Sequence, residues 1–341
     1  MKLSKNGILI GVVLLIVVGV ALWLGLGQRN PSGTGQKQTA STSSQASAVK
    51  EFNLVAQAID WELTPGKMIK AWAYNGQIPG PELRVQEGDR VRVTFKNELP
   101  VATAIHWHGV DVPNAMDGVP GVTQEPVQPG HTFVYEFIAK PAGTRFYHTH
   151  GSGMGDEAMQ MDMGLSGAFI IEPHGKPQYD REYTLILDDW VWPSPSMESA
   201  SQTMSMSPHE VQGQMTQPSQ LGMGPGEVME NYNAFTINGK SFPATQPLVV
   251  KPGEWVRLRL INVSSMTFHP MHPHGHQFRV VATDGNPVPE AAQLTKNTIT
   301  VMPGESYDIE FVADNPGTWL FHCHELHHAD QGLATLVQYE H

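Results

Sequence analysis

Apolar and polar residues alternate with period two in RVRVTFKN (90–97), TFVYEFIA (132–139), WVRLRLIN (255–262) and SYDIEFVA (306–313). Successive side chains on a strand point to opposite faces, so each stretch predicts a half-buried β-strand with one face on a core and one in water. No long segment carries a 3.6-residue period. Pro-Gly corners recur between the strands, as IPGP (78–81), VQPGH (127–131), VKPGE (250–254) and VMPGE (301–305).

The pattern is written twice. Residues 75–109 run from Asn-Gly through a Pro-bearing turn, a polar-Gly-acid corner and an alternating strand to His-x-His-Gly, and residues 238–275 repeat that order. QPGHTFVYEFIAKPAGTRFYHTH (128–150) likewise mirrors MPGESYDIEFVADNPGTWLFHCH (302–324). Repeats this long mark duplicated domains rather than a solenoid. The expected fold is all-β, two β-sandwich domains in tandem over 51–175 and 176–341.

Three regions break the pattern. Lys2 and Lys5 precede an uncharged apolar run at 7–27, long enough to span a bilayer as a helix and longer than most secretory signals. Residues 1–27 are therefore expected to be a membrane anchor or a cleaved signal, and either one exports the remainder, with the basic end left inside. Residues 28–50, rich in Ser, Thr, Gly and Gln, are expected to be a flexible tether. The segment 193–231 holds six of the 16 methionines, and GMGDEAMQMDMG (153–164) holds four more. Both are too polar around the methionines to predict a packed face. Each is expected to be either a disordered insertion or a thioether surface suited to Cu(I).

Charge narrows the partners. With 33 acids against 21 bases in 341 residues, the net charge of −12 argues against a nucleic-acid partner, since phosphate binding needs a basic surface. The single cysteine, Cys323, excludes an intramolecular disulfide.

Twelve of the 16 histidines fall in four windows, 106–108, 148–150, 269–276 and 322–328, where chance would place about one. Each window contains His-x-His: HWH, HTH, HPH and HCH. Residues i and i+2 share a strand face, so each pair presents two imidazoles to one point. Four such pairs at matching places in a duplicated fold point to metal ligation, and imidazole alone suits Cu, Zn, Fe or Ni. Cys323 narrows the choice, because a trigonal His₂Cys set is the blue-copper arrangement. The sequence offers His269 upstream, and His327 or His328 downstream, to complete it. A nucleophilic role for Cys323 would leave eight paired histidines unexplained.

HWHG, YHTH, HPMHPHGH and HCHELHHADQGL resemble the four copper-binding motifs of the multicopper oxidases, in that family's chain order. The resemblance extends from about residue 52 onward, and with only two repeats it is nearest to the two-domain, small-laccase-like branch. It implies two cupredoxin-like Greek-key β-sandwiches and four copper ions per chain. His106 and His272 match the type 2 ligands. His108, His148, His150, His274, His322 and His324 match those of the type 3 pair. His269, Cys323 and His328 match those of type 1, the spacing of five after the cysteine selecting His328 over His327. His276 matches a non-ligand position. Leu333 stands where the family has Met or a non-coordinating residue, which raises the type 1 potential. No cysteine accompanies YHTH, so the first domain should lack a type 1 site, unlike the two-domain copper nitrite reductases.

The resemblance also implies a mechanism. Electrons from a small reductant enter near the His328 edge and pass through Cys323 to His322 and His324, and O2 is reduced to water with Asp117 relaying protons. Asp117 also reads as a plain turn residue before Gly118, and Asp330 as either a substrate-side carboxylate or a surface residue. With no middle domain, the resemblance implies a homotrimer whose trinuclear clusters lie between chains. The reductant is expected to be a phenol or aromatic amine, with Cu(I) as the alternative and a non-catalytic copper-storage protein as a third reading. The site of action is expected to be extracytoplasmic, at the cell surface or in the periplasm, secreted or membrane-anchored.

Overall fold

The computed structural model describes residues 49–151, 156–175, 178–192 and 232–340. The apolar run at 7–27, the tether up to residue 48 and the Met-rich segment 193–231 lie outside them. Among the described residues no helix is long and apolar enough to cross a membrane.

Eight strands precede residue 175: β1 (Val49–Thr64), β2 (Lys67–Tyr74), β3 (Leu83–Gln86), β4 (Arg90–Asn97), β5 (Thr103–His108), β6 (Thr132–Ile138), β7 (Gly143–Gly151) and β8 (Ser166–Glu172). They form two sheets, ordered β2-β1-β4-β6 and β3-β8-β7-β5. Twelve follow: β9 (Arg181–Trp190), β10 (Ala234–Ile237), β11 (Leu248–Val250), β12 (Trp255–Asn262), β13 (His269–Pro273), β14 (Phe278–Thr283), β15 (Asn286–Pro287), β16 (Thr295–Lys296), β17 (Ile299–Val301), β18 (Ser306–Val312), β19 (Thr318–Cys323) and β20 (Ala334–Tyr339). Their sheets run β10-β9-β12-β18-β14-β15, with β16 on β14, and β11-β20-β19-β13-β17. The second pair thus repeats the first pair's order and extends it at the ends. The described α-helices are short, α1 (Glu157–Asp162) and α2 (Leu326–Asp330). The architecture is all-β and cupredoxin-like.

Each pair of sheets closes on its own apolar core. In β4 the alternation is met residue by residue: Val91, Val93 and Phe95 are buried, while Arg90, Arg92 and Lys96 are exposed. In β12 it is not. Val256, Leu258 and Leu260 enter the second core, yet Arg257 and Arg259 on the opposite face are also buried. The first half covers that face. Arg259 donates to Thr144 Oγ1 on β7 (2.6 Å), and its guanidinium lies 3.1 Å from Asp308 and 3.8 Å from Glu172 on β8. Arg257 pairs with Glu182 at 2.7 Å. Desolvating guanidinium groups costs several kcal/mol unless carboxylates compensate them, as these do. Beside this network Phe146, Ala168 and Ile170 pack on Ile186, Ile261 and Val263. The half-exposed face expected for β12 is therefore an interface between the halves.

Two further expectations change. β1 begins at Val49, opposite Arg90, inside the segment expected to be tether. The methionine-rich stretch 153–164 does pack over its described part: α1 forms there, Met163 joins the first core, and Met161 lies against the apolar cluster between the halves.

Candidate metal centre

In every His-x-His the middle residue faces the core. Trp107, Thr149, Pro273 and Cys323 are buried, and Trp107 packs against Tyr135, Phe137, Tyr147 and Phe169. The pleat then forces the flanking imidazoles to the other face. β5 and β7 place His106 opposite His148, and β13 and β19 place His272 opposite His322.

Cys323 turns inward toward two histidines from other elements. His269 opens β13, and His328 lies on α2, whose start is capped by Glu325 accepting the His328 backbone N–H (2.9 Å). Cys323 Sγ lies 3.9 Å from His269 Nδ1 and 3.7 Å from His328 Nδ1, and the two nitrogens are 3.3 Å apart. Trigonal bonds of about 2.0 Å to nitrogen and 2.3 Å to sulfur separate the donors by roughly 3.5–3.8 Å. The three atoms therefore fit one ion. Leu333, whose carbonyl accepts the Cys323 N–H at 3.0 Å, is fully buried beside them. His327 is exposed and outside this triad.

The eight histidines of the four His-x-His pairs form two quartets. In the first, ligand-capable atoms of His106, His108 and His148 lie within 4.8 Å of one another, and the His150 ring is 6.4 Å from that of His106. In the second, His274 Nε2 and His322 Nε2 are 3.1 Å apart, and the His272 ring lies 5.6 Å from that of His324. Among the described residues no hydrogen bond or ring contact joins one quartet to the other, and His274 and His324 are exposed. A single chain holds the two sets apart.

Electrostatics favour a cation at both kinds of site. Burial, reinforced by neighbouring imidazoles, pushes His148 well below the ordinary histidine range and His108 down to about 4, so these rings are neutral, the form that ligates. Burial pushes the Cys323 thiol up to about 12. Its thiolate therefore needs a cation beside it, and a bound metal deprotonates a coordinating thiol. Outer contacts fix ring orientation. His148 Nδ1 and His322 Nδ1 each donate to the carbonyl of the next residue at 2.7 Å. His272 Nδ1 contacts the Asn297 carbonyl, and His269 Nε2 sits 3.1 Å from Asp189.

Asp117 follows a 3-10 turn, Asn114–Met116. Its carbonyl accepts from His106 Nδ1 at 2.8 Å, and its carboxylate lies 3.4 Å from the same nitrogen. Gly118 makes that approach possible, because a Cβ there would sit 1.8 Å from the Ile105 carbonyl oxygen. Asp330 is exposed at the end of α2, and His276 is turned away to Tyr339 (Nε2···OH 2.7 Å). Sequence reasoning missed Asp189, Glu325, Phe235, which stacks on His328 at 4.1 Å, and Glu157, 3.1 Å from His150 Nε2. The acid pair closing the apolar run LILDD was a usable signal for Asp189, whereas Phe235 had none.

Multicopper oxidase family models match residues 56–176 and 212–341. Copper resistance protein A of Pseudomonas syringae pv. tomato is 32% identical over 281 residues, covering 73% of this chain and 45% of that protein. Laccase-15 of Oryza sativa subsp. japonica is 31% identical over 289 residues, covering 81% and 44%. The chain thus spans about half the length of the curated relatives it matches. Blue copper oxidase from Nitrosomonas europaea matches with a TM-score of 0.70 and 34% identity over 86% of each chain. The copper nitrite reductase of the same organism, at 22% identity and a TM-score of 0.68, shares the fold. The chain belongs to the multicopper oxidase family.

Proposed function

We propose that this protein couples one-electron oxidation of a small reductant to reduction of O2 to water, and the observation that carries the proposal is the triad His269–Cys323–His328, whose buried Cys323 stands in the chain between His322 and His324. His269, Cys323 and His328 would hold a type 1 copper, His106 and His272 a type 2 copper, and His108, His148, His150, His274, His322 and His324 a type 3 pair. Bound copper supplies single-electron acceptance at the first site and four-electron reduction of O2 at the other three ions. The chain supplies the connection: Cys323 is bonded through its own backbone to both His322 and His324, and the 2.7 Å contact of His322 Nδ1 with the Cys323 carbonyl adds a second link. Full burial keeps water from the Cys323 sulfur. The Asp117 carboxylate holds and hands on a proton beside His106.

The separated quartets, with His274 and His324 exposed, support completion of the oxygen-reducing site by another copy, in a homotrimer with interchain clusters. Two domains meeting near residue 176 and export by residues 1–27 complete this reading. A storage protein would have no use for eight paired imidazoles.

The preferred reductant is a phenol or aromatic amine meeting the His328 edge, which is partly exposed beside the exposed Leu326. Cu(I) is the second reading, favoured by the methionines of 193–231 and by relatives whose names include copper resistance. Replacing Cys323 with Ser should abolish the intense blue absorption and oxidase turnover together, and survival of either refutes the proposal. Steady-state turnover of Cu(I) and of a phenol, with and without residues 193–231, separates the reductants, since unchanged Cu(I) turnover after deletion removes the cuprous reading. An active, fully metallated monomer on sedimentation refutes the trimer.

A further inference from the structure

The two halves repeat each other down to single positions around Cys323. In β13 and β19, Met271 lies opposite Cys323 and His272 opposite His322, while in β5 and β7, Ile105 lies opposite Thr149 and His106 opposite His148. Thr149 therefore stands where Cys323 stands. Thr103 precedes His106 by three residues, as His269 precedes His272. The Cys323 N–H donates to Leu333 at 3.0 Å, and the Thr149 N–H donates to Leu165, also at 3.0 Å. Gly332-Leu333 thus matches Gly164-Leu165. Four residues before each glycine lie His328 on α2 and Gln160 on α1.

The counterparts of the three proposed type 1 ligands are thus Thr103, Thr149 and Gln160, all completely buried. None of them is a thiol or an imidazole, and they bond directly to one another. The Thr103 and Thr149 hydroxyls are 2.6 Å apart, Thr149 Oγ1 donates to Gln160 Oε1 at 2.6 Å, and Gln160 Nε2 donates to the Ala102 carbonyl at 3.2 Å. In the second half the equivalent atoms are spaced to share an ion. Here hydrogen bonds close the same cup, and in a dry interior such a chain is strong while complete and costly when broken.

Thr149 is the middle residue of HTH, so where it is held fixes both His148 and His150. Gln160 also pins α1, which carries Glu157 to 3.1 Å from His150 and 3.7 Å from His148. We infer that Gln160 is a positioning residue for the first quartet, acting through Thr149 and doing structurally what a metal ion does among His269, Cys323 and His328. The inference rests on the ligand assignment proposed above.

The test is a copper titration of the metal-free full-length protein, recording blue absorption and total bound copper separately. Gln160→Met removes both hydrogen bonds of the side chain at similar volume. It should weaken the copper that carries no blue absorption about 10–100-fold, the usual effect of losing an outer contact to a ligand, and leave the blue midpoint unchanged. Gln160→Glu keeps the acceptor for Thr149 and, held neutral by complete burial, offers a carboxyl O–H to the Ala102 carbonyl in place of Nε2, so it should return the titration to wild type. Thr149→Val, which matches the shape and lacks the hydroxyl, should reproduce the selective loss and decides the matter if Gln160→Met does not fold. Wild-type binding in the Met and Val variants, equal weakening of both copper classes, or a Glu variant as defective as the Met variant would overturn the inference. A wild-type protein that takes up copper with no blue absorption would instead sink the ligand assignment.

Discussion

Gly118 and Gly88 provide a matched pair for measuring how tightly the Asp117 corner is pressed against β5. Their φ angles are +86° and +87°, so an alanine at either position meets the same left-handed backbone penalty, about 1–2 kcal/mol. They differ in surroundings. A Cβ on Gly88 meets nothing within 4 Å, whereas one on Gly118 would sit 1.8 Å from the Ile105 oxygen. Real Cβ contacts stop near 3.0 Å, so the corner must retreat by at least the difference, 1.2 Å. That retreat stretches the 2.8 Å contact between His106 Nδ1 and the Asp117 carbonyl beyond hydrogen-bond length. Losing the bond costs about 0.5–1.5 kcal/mol, and forcing the methyl in costs about 1–3 kcal/mol. Gly118→Ala should therefore be destabilising by roughly 2–4 kcal/mol more than Gly88→Ala, measured by denaturant unfolding of the metal-free variants. It should also weaken copper held by His106, because the ring loses the carbonyl that orients it. Equal unfolding free energies for the two variants would show that the close approach does not exist.

Three other outcomes follow from the geometry. Burial, with the Asp189 charge, pushes the Asp162 carboxyl up to about 7 from 3.8, against the Tyr232 and Ser265 hydroxyls that hold it down. The folded state thus keeps a proton that the unfolded chain releases, and stability full below about pH 4 falls by about 4 kcal/mol as pH rises through 7. Unfolding measured across that range should be visibly flatter in Asp162→Asn, and an unchanged slope would contradict the burial argument. His328→Ala should remove the blue absorption while His327→Ala preserves it, since only His328 reaches the sulfur; absorption spectra of the copper-loaded variants decide. Arg259→Met removes the guanidinium shared by Thr144, Asp308 and Glu172, but Arg257 stays 3.7 Å from Asp308 and Arg84 stays paired with Glu172. It should therefore cost about 1.5–3 kcal/mol in denaturant unfolding, and a neutral change would mean the network contributes little.

Local chemistry was legible in the sequence because it is periodic. β4 reads from its alternation alone, and the histidine windows locate every member of the triad and both quartets. β12 shows where periodicity stops. Alternation says that WVRLRLIN has two unlike faces, but only tertiary contact shows that Arg259 meets Thr144 and Glu172 rather than water. The methionine stretch at 153–164 misleads for a related reason: its polar neighbours suggested an unpacked chain, yet Met161 and Met163 find apolar partners in segments far away in sequence. Asp117 was pointed to only by the resemblance to the multicopper oxidases, while the reason it can reach His106, the missing Cβ of Gly118, became visible only in three dimensions. That the two quartets are held apart has no local signature, since a repeat states that each half contributes histidines and not where the halves face.

That separation has a consequence for how such a protein matures. On the proposed ligand set, the triad is complete within one polypeptide, whereas neither quartet is sufficient for oxygen chemistry by itself. A newly folded chain could thus become coloured and electron-accepting while still inert toward O2. The dangerous half of the reaction would be withheld until copies meet, so quaternary contact, rather than metal supply alone, would license the oxidase.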